Sequence, residues 1–269
     1  MQAIKKTNII TDTFKWLFDF EDWRMLFRSI PGIVTMMSVI TVVVMNLMAA
    51  KVVIMTPYIG VTGGLFLSWI PFLIGDVVVK TYGAKAATKL NILGLIVNLI
   101  CIGIFQLVTF IHIGIDQESY SAFNSTFTQT WQIFVASSIA FILSGVINNF
   151  TNAGIGTFFK KNPDGKIAYM CRSYISTALG QFFDNLIFAG LAFLVFFKLS
   201  VGSSFGYTIV SVLGTAVLGA ILELLMQVVF SPIGYKMCKK WRNESVGADY
   251  LEYCKQHEVY KEIGRLVEE

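Results

Sequence analysis

The sequence predicts an all-α integral membrane protein: a bundle of six transmembrane helices with both termini cytoplasmic, preceded by an interfacial amphipathic helix. Three observations carry that expectation. Of 269 residues, 55% are hydrophobic and only 14% charged, with a mean hydropathy of +0.66, a more apolar balance than a water-soluble domain shows. Six apolar runs have about the 20 residues needed to cross hydrocarbon. The segments outside and around those runs hold, in order, 5, 1, 3, 0, 4, 1 and 7 of the 21 Lys and Arg residues. Basic segments stay in the cytoplasm, so this unbroken alternation places both ends there and requires an even number of spans. The net charge of +4 therefore reports topology, not affinity for nucleic acid.

Residues 1–30 form the leading segment. Trp16, Phe20, Trp23, Phe27 and Ile30 recur at helical spacing with Lys15, Asp19, Asp22, Arg24 and Arg28 between them, which predicts a helix lying at the membrane surface. The first apolar run is long and follows this charged segment, so it is expected to anchor the chain without being cleaved. The membrane domain occupies 31–235, with spans at 31–53, 58–79, 90–113, 131–159, 173–197 and 205–235. Gly60 with Gly64, and Gly202 with Gly206, have spacing suited to close helix approach. The outer loop at 112–130 has no Lys or Arg and contains the sequon Asn124-Ser125-Thr126, which matters only in a glycosylating pathway. The tail, 236–269, balances seven basic and seven acidic residues and reads as a partly amphipathic, solvated appendage. Cys101, Cys171, Cys238 and Cys254 lack metal-ligand spacing, and structural disulfides are not expected.

One tract departs from a plain membrane helix. Residues 171–193 include Arg172, Ser173, Ser176, Thr177, Gln181, Asp184 and Asn185. At about 100° per residue, Ser173, Thr177, Gly180, Gln181 and Asp184 share one stripe, opposite Ile175, Leu179, Phe182, Leu186 and Phe193. The polar stripe must face protein or water, and an acid at this depth points to a solute, ion or proton site.

Three acids fall within the expected spans: Asp76, Asp184 and Glu223. Asp76 follows Trp69, Pro71 and Gly75; the proline can free backbone carbonyls, whereas a bridge to Lys80 one turn on is an equally good reading. Asp184 has no basic residue within a turn and is the leading site candidate. Glu223 shares a face with Gly219 and Gln227, either as a second wall of a polar cavity or clamped to Arg172. Asn46, Asn98, Gln106, Asn148, Asn149 and Asn152 add amides, each alone ordinary helix-to-helix glue, together favouring an aqueous or ligand-filled interior. His112 and His257 stand in no metal-binding or catalytic arrangement, and there is no phosphate loop. No enzymatic activity and no cofactor or metal is expected.

The order of these residues resembles the queuosine precursor transporters, also called the YhhQ-like or vitamin uptake transporter family. The longest match is Arg172-Ser173-x-x-Ser176-Thr177-x-x-Gly180-Gln181-x-x-Asp184-x-x-x-Phe188, followed by Ala192-Phe193. Asn46-Leu47-x-Ala49-x-Lys51, Asp76 with Tyr82-Gly83, Ser138-x-Ala140-Phe141-x-x-Ser144, and Glu223 with Pro232 are similar to further family elements in the expected order. The pattern departs from the family at Lys80, where an acid is usual, and at Gly145 and Asn148, where Gln and Asp are usual.

The resemblance implies a carrier, located in the cytoplasmic membrane, for a 7-deazaguanine such as preQ0, preQ1 or queuine. A guanine-like edge offers N1–H and a 2-amino group that one carboxylate can accept together, and a 6-oxo group that needs a donor. Asp184 or Glu223 is expected to supply the carboxylate, and Gln181, Gln227, Asn148 or Ser176 the donor. Thr177, Asp76 and Asn46 join the expected site, and Trp69, Phe72 or Phe183 is expected to stack on the ring, worth about 1 kcal/mol or more. The lipid bilayer and the deazapurine are the expected partners. A homodimer and a coupling ATPase both stay compatible with the sequence; only Ala49-Ala50 stands where an ATPase-docking pattern would fall in the first span.

Overall fold

The computed structural model describes residues 17–49, 51–111, 117–127, 130–159, 165–196 and 209–256. Lys15, Trp16, His112, Lys160, Lys161, Phe197, Gly202, Gly206, Val259, Ile263, Leu266 and His257 lie outside those residues. The chain is helical almost throughout: α1 (Phe20–Ser29), α2 (Gly32–Ala49), α3 (Leu65–Tyr82), α4 (Ala84–Thr109), α5 (Gln117–Phe127), α6 (Thr130–Gly156), α7 (Lys166–Ala189), α8 (Ile209–Asn243) and α9 (Ala248–Gln256). Six of these, α2, α3, α4, α6, α7 and α8, are long and apolar enough to cross a membrane, α6 and α7 counting with their short 3₁₀ and π continuations. Packing follows a closed sequence: α7 lies between α6 and α8, α8 against α3, and α3 against α4 and α2.

The first correction to the expected spans falls between α2 and α3. Residues assigned there to two membrane helices instead form an antiparallel hairpin, β1 (Val52–Met55) and β2 (Gly60–Thr62). Thr56-Pro57-Tyr58-Ile59 makes the turn: the Ile59 amide donates to Thr56 Oγ1 at 3.1 Å and the Thr56 amide to the Ile59 carbonyl at 2.8 Å. Proline at the second turn position presets the backbone for such a reversal, and β-branched Val52, Val53 and Ile54 suit a strand. Gly60 is thus a strand residue and not part of a helix-packing pair. Gly64 does permit close approach, because a Cβ there would lie 3.1 Å from that of Ala49.

The helix α3 runs through Pro71 without interruption. Beside it, Trp69 Nε1 donates to the Phe66 carbonyl at 3.0 Å. α3 and α4 meet at Gly83 alone, whose φ of +89° is a conformation that glycine adopts without the Cβ penalty.

The opposite end of the bundle holds both α1 and α9. Asp22 and Leu26 of α1 are fully buried, and Lys89 of α4 is buried against Asp22, forming an ion pair with it. Trp23 lies under the same ammonium, 5.7 Å from its ring centre. Tyr82 Oη donates to Ser29 O at 2.9 Å and its ring meets Trp241 and Tyr250 edge-on at 5.9 and 6.0 Å. Asp22, expected on a solvated face of the amphipathic helix, points inward because Lys89 supplies its counter-charge. The tail up to Gln256 likewise packs instead of standing off in water: Tyr250 is 1% exposed, and α9 lies against α1.

α7 continues into a π-helical turn, Gly190–Phe196. This changes the angular phase of its last residues. Ile175 and Leu179 are exposed, on the apolar side expected for them, but Phe193, expected on that same side, is buried with Ala136, Ala189, Ala192 and Val212. A wider turn spreads each revolution over more residues, so the rotation per residue falls below the roughly 100° of an α-helix.

Candidate functional site

A chamber, open on part of its surface, lies between the hairpin and the middle of the bundle. Its volume is about 50 Å³. α2 contributes Asn46, α3 Ser68, α6 Ser137, α7 Asp184 and Asn185 with the Phe188 ring, and α8 Thr215 and Glu223; Gly60, Val61 and Thr62 of β2 form the outer wall. Among the described residues that line it there are two carboxyl groups and no Lys, Arg or His. The hairpin is tied to α8 by backbone groups: the Gly60 amide donates to Thr215 Oγ1 at 2.8 Å, and Ser211 Oγ donates to Pro57 O at 2.5 Å.

Each acid is held by neutral donors from neighbouring helices. Ser68 Oγ donates to Glu223 Oε1, and Asn185 Nδ2 to Glu223 Oε2 at 2.7 Å. The Gln181 amide satisfies its surroundings with its nitrogen toward Glu223, donating at 2.8 Å to Oε2 and 3.3 Å to Oε1, an orientation set by the hydrogen-bond network. Gly219, one turn before Glu223, makes room for this arrangement: a Cβ there would sit 2.7 Å from the Asn185 amide nitrogen. Ser144 Oγ donates to Asp184 Oδ1 at 2.7 Å. Ser137 Oγ donates to Asn46 Oδ1, fixing that amide at the α2 wall.

One helical turn further toward the α1 end, the fully buried Asp76 organises a second polar network. Its Oδ1 accepts from Asn152 Nδ2 at 2.7 Å, Ser176 Oγ at 3.3 Å and Asn148 Nδ2 at 3.5 Å. Its Oδ2 accepts from Gln227 Nε2 at 2.7 Å, Thr177 Oγ1 at 3.5 Å and Ser173 Oγ. Arg172 reaches this network through Asn152, donating from Nε to the carbonyl at 3.2 Å and to Oδ1 at 3.1 Å. The alternative partners suggested by the sequence, Lys80 for Asp76 and Arg172 for Glu223, give way to these amide and hydroxyl donors.

The residues singled out in the sequence thus divide into three groups. Asp184, Glu223 and Asn46 line the chamber, with Gln181 supporting Glu223 from behind. Asp76, Asn148, Ser176, Thr177 and Gln227 belong to the inner network. Trp69 joins neither; it stacks on Phe230 with ring centres 4.3 Å apart. Sequence reasoning passed over Ser68, Ser137, Thr215 and the hairpin, and did not give Asn185 or Phe188 a place at the wall. Asn185 carried a readable signal, four residues after Gln181 and four before Ala189 on the stripe that turns inward. A lone Ser or Thr in an apolar helix carries none.

Together these features define a helical membrane protein of six spans with an acidic chamber at mid-bundle. The chain belongs to the family described as "Putative vitamin uptake transporter", whose pattern matches residues 62–237, well over half of its length. No curated protein and no solved structure matches it.

Proposed function

We propose that this protein imports a 7-deazaguanine, preQ0, preQ1 or queuine, across the cytoplasmic membrane, with both termini in the cytoplasm and without a coupling ATPase. The observation that carries the reading is the pairing of Asp184 and Glu223 on one chamber wall, with no basic residue lining it among the described residues. Such a chamber selects solutes rich in N–H donors, and a guanine-type edge presents two adjacent ones to a single carboxylate. The Asn46 amide nitrogen offers a donor for a 6-oxo group, and Phe188 a ring face. The second carboxylate favours members that also carry an amine, preQ1 and queuine, over the nitrile preQ0.

At about 50 Å³ the chamber has room for about three or four waters, so a bicyclic base enters only when the outer wall moves. The hairpin is the element whose displacement opens it. Proteoliposomes containing this chain alone are expected to take up the deazapurine. Asp184→Asn and Glu223→Gln proteins that reach the membrane normally are expected to lose uptake at least tenfold, and unchanged affinity and rate in both would overturn the assignment. Restoration of queuosine in the tRNA of cells unable to make the precursor, with each base supplied in turn, identifies the solute.

A further inference from the structure

The inner network around Asp76 has more acceptor oxygens than its hydrogen bonds use. Asn148 and Gln227 both turn their amide nitrogens to the carboxylate, at 3.5 and 2.7 Å, and this leaves Asn148 Oδ1 and Gln227 Oε1 buried without a hydrogen-bond partner. The Asn148 and Gln227 side chains are both at most 1% exposed. A buried acceptor without a partner destabilises by about 1–3 kcal/mol, and two on amides that share one carboxylate call for a common cause.

We propose that Asp76, Asn148, Ser173, Ser176, Thr177 and Gln227 form a binding site for a dehydrated monovalent cation of sodium's size, one helical turn inside the solute chamber. The donor set is all oxygen, which suits a hard cation, and the single carboxylate matches a single positive charge. The amides account for both states of the site. Without the cation they present N–H groups to the carboxylate; rotation by half a turn presents Asn148 Oδ1 and Gln227 Oε1 to the ion instead. The three hydroxyl oxygens already lie within 3.5 Å of the Asp76 carboxylate and can turn their lone pairs inward without moving. Arg172 stands on the far side of Asn152 and not against the carboxylate. Its charge weakens cation binding, as release of a coupling ion into the cell requires.

The site is placed to couple with the solute. Gln227 lies one turn from Glu223 on α8, and Thr177 and Ser173 lie one and two turns from Gln181 on α7. A change in Gln227 is therefore transmitted to the Glu223 wall through two helices that already touch. This role in coupling rests on the transport reading above; the cation site itself does not.

The test is thermal unfolding of the purified protein, without solute, in NaCl, KCl and choline chloride at equal ionic strength. Sodium is expected to raise the midpoint by about 3–5 °C at ten times its half-saturating concentration, with KCl and choline chloride alike and lower. Equal midpoints in all three salts overturn the proposal, and so does an equal rise in NaCl and KCl. Asp76→Asn is expected to abolish the sodium response, and Asn148→Ala and Gln227→Met to raise the half-saturating concentration at least tenfold. If Asp76→Asn does not fold, the latter two decide, and a wild-type response in both refutes the placement. Uptake by the wild-type protein with no sodium response rejects this site and leaves the carrier standing; a sodium response without deazapurine uptake does the reverse.

Discussion

The ion pair between Asp22 and Lys89 offers a test of what holds α1 to the membrane bundle. Both side chains are 0% exposed, so neither charge can return to water when the other is removed. Replacing Lys89 by Met leaves a buried carboxylate, and breaking a pair of this kind costs about 3–5 kcal/mol. Loss of the ammonium over the Trp23 ring adds about 0.5–2 kcal/mol. At about 2–4 °C per kcal/mol for a chain of this size, Lys89→Met is expected to lower the unfolding midpoint by about 7–28 °C in detergent. Asp22→Leu combined with Lys89→Met removes both charges and is expected to recover most of the loss, because an apolar pair of similar volume is often as stable as a buried ionic one. Protease sensitivity at α1 gives a second readout: it rises in the single variant and falls back in the double. Added salt does not close the gap, since a buried pair is screened far less than an exposed one. A single variant within about 1 kcal/mol of wild type refutes the reasoning, and so does a double variant as unstable as the sum of its parts.

Other outcomes follow from the same geometry. Gly219→Ala drives a methyl group into the Asn185 amide; it is expected to free Glu223 of that donor and weaken solute binding by at least tenfold, and an unchanged binding isotherm contradicts the role given to Asn185. Trp69→Phe keeps the stack on Phe230 and loses one hydrogen bond, so stability falls by about 1 kcal/mol while half-saturation of uptake stays within about twofold; a tenfold rise would put the indole in the solute's path. Tyr250→Ala empties a 1% exposed position against Tyr82 and is expected to cost about 3–5 kcal/mol, read as a lower midpoint and early proteolytic loss of α9.

The spans were readable in the sequence because hydrocarbon thickness imposes a length that composition alone reveals. The hairpin was not. Its strands are Val- and Ile-rich, and a window of about 20 residues absorbs four such residues into the neighbouring helix; only Pro57 and Gly60 mark the turn. The stripe of α7 was placed correctly for Ser173, Thr177 and Gln181, all fully buried, because a regular helix keeps its phase. Phe193 was misplaced because the π turn at Gly190–Phe196 depends on packing with α6 and α8, which periodicity does not encode. The three acids were found by rarity, but their division between chamber and inner network depends on which donors other helices bring, such as Asn152 to Asp76 and Asn185 to Glu223. Docking of Asp22 and Tyr250 escaped notice for the same reason: their partners, Lys89 and Tyr82, are distant in the chain.

The outer hairpin closes the chamber largely through its main chain. β1 and β2 pair along their shared edge, and the hydrogen bonds to α8 among the described residues engage Gly60 N and Pro57 O. Peptide groups at such a depth are tolerated only where protein supplies their partners, and here those partners do not depend on what the strand residues are. Val53 and Ile54, about half exposed, can therefore vary in size or polarity without unfastening the cover. The outer strand is thus free to drift in sequence while the acids beneath it stay fixed.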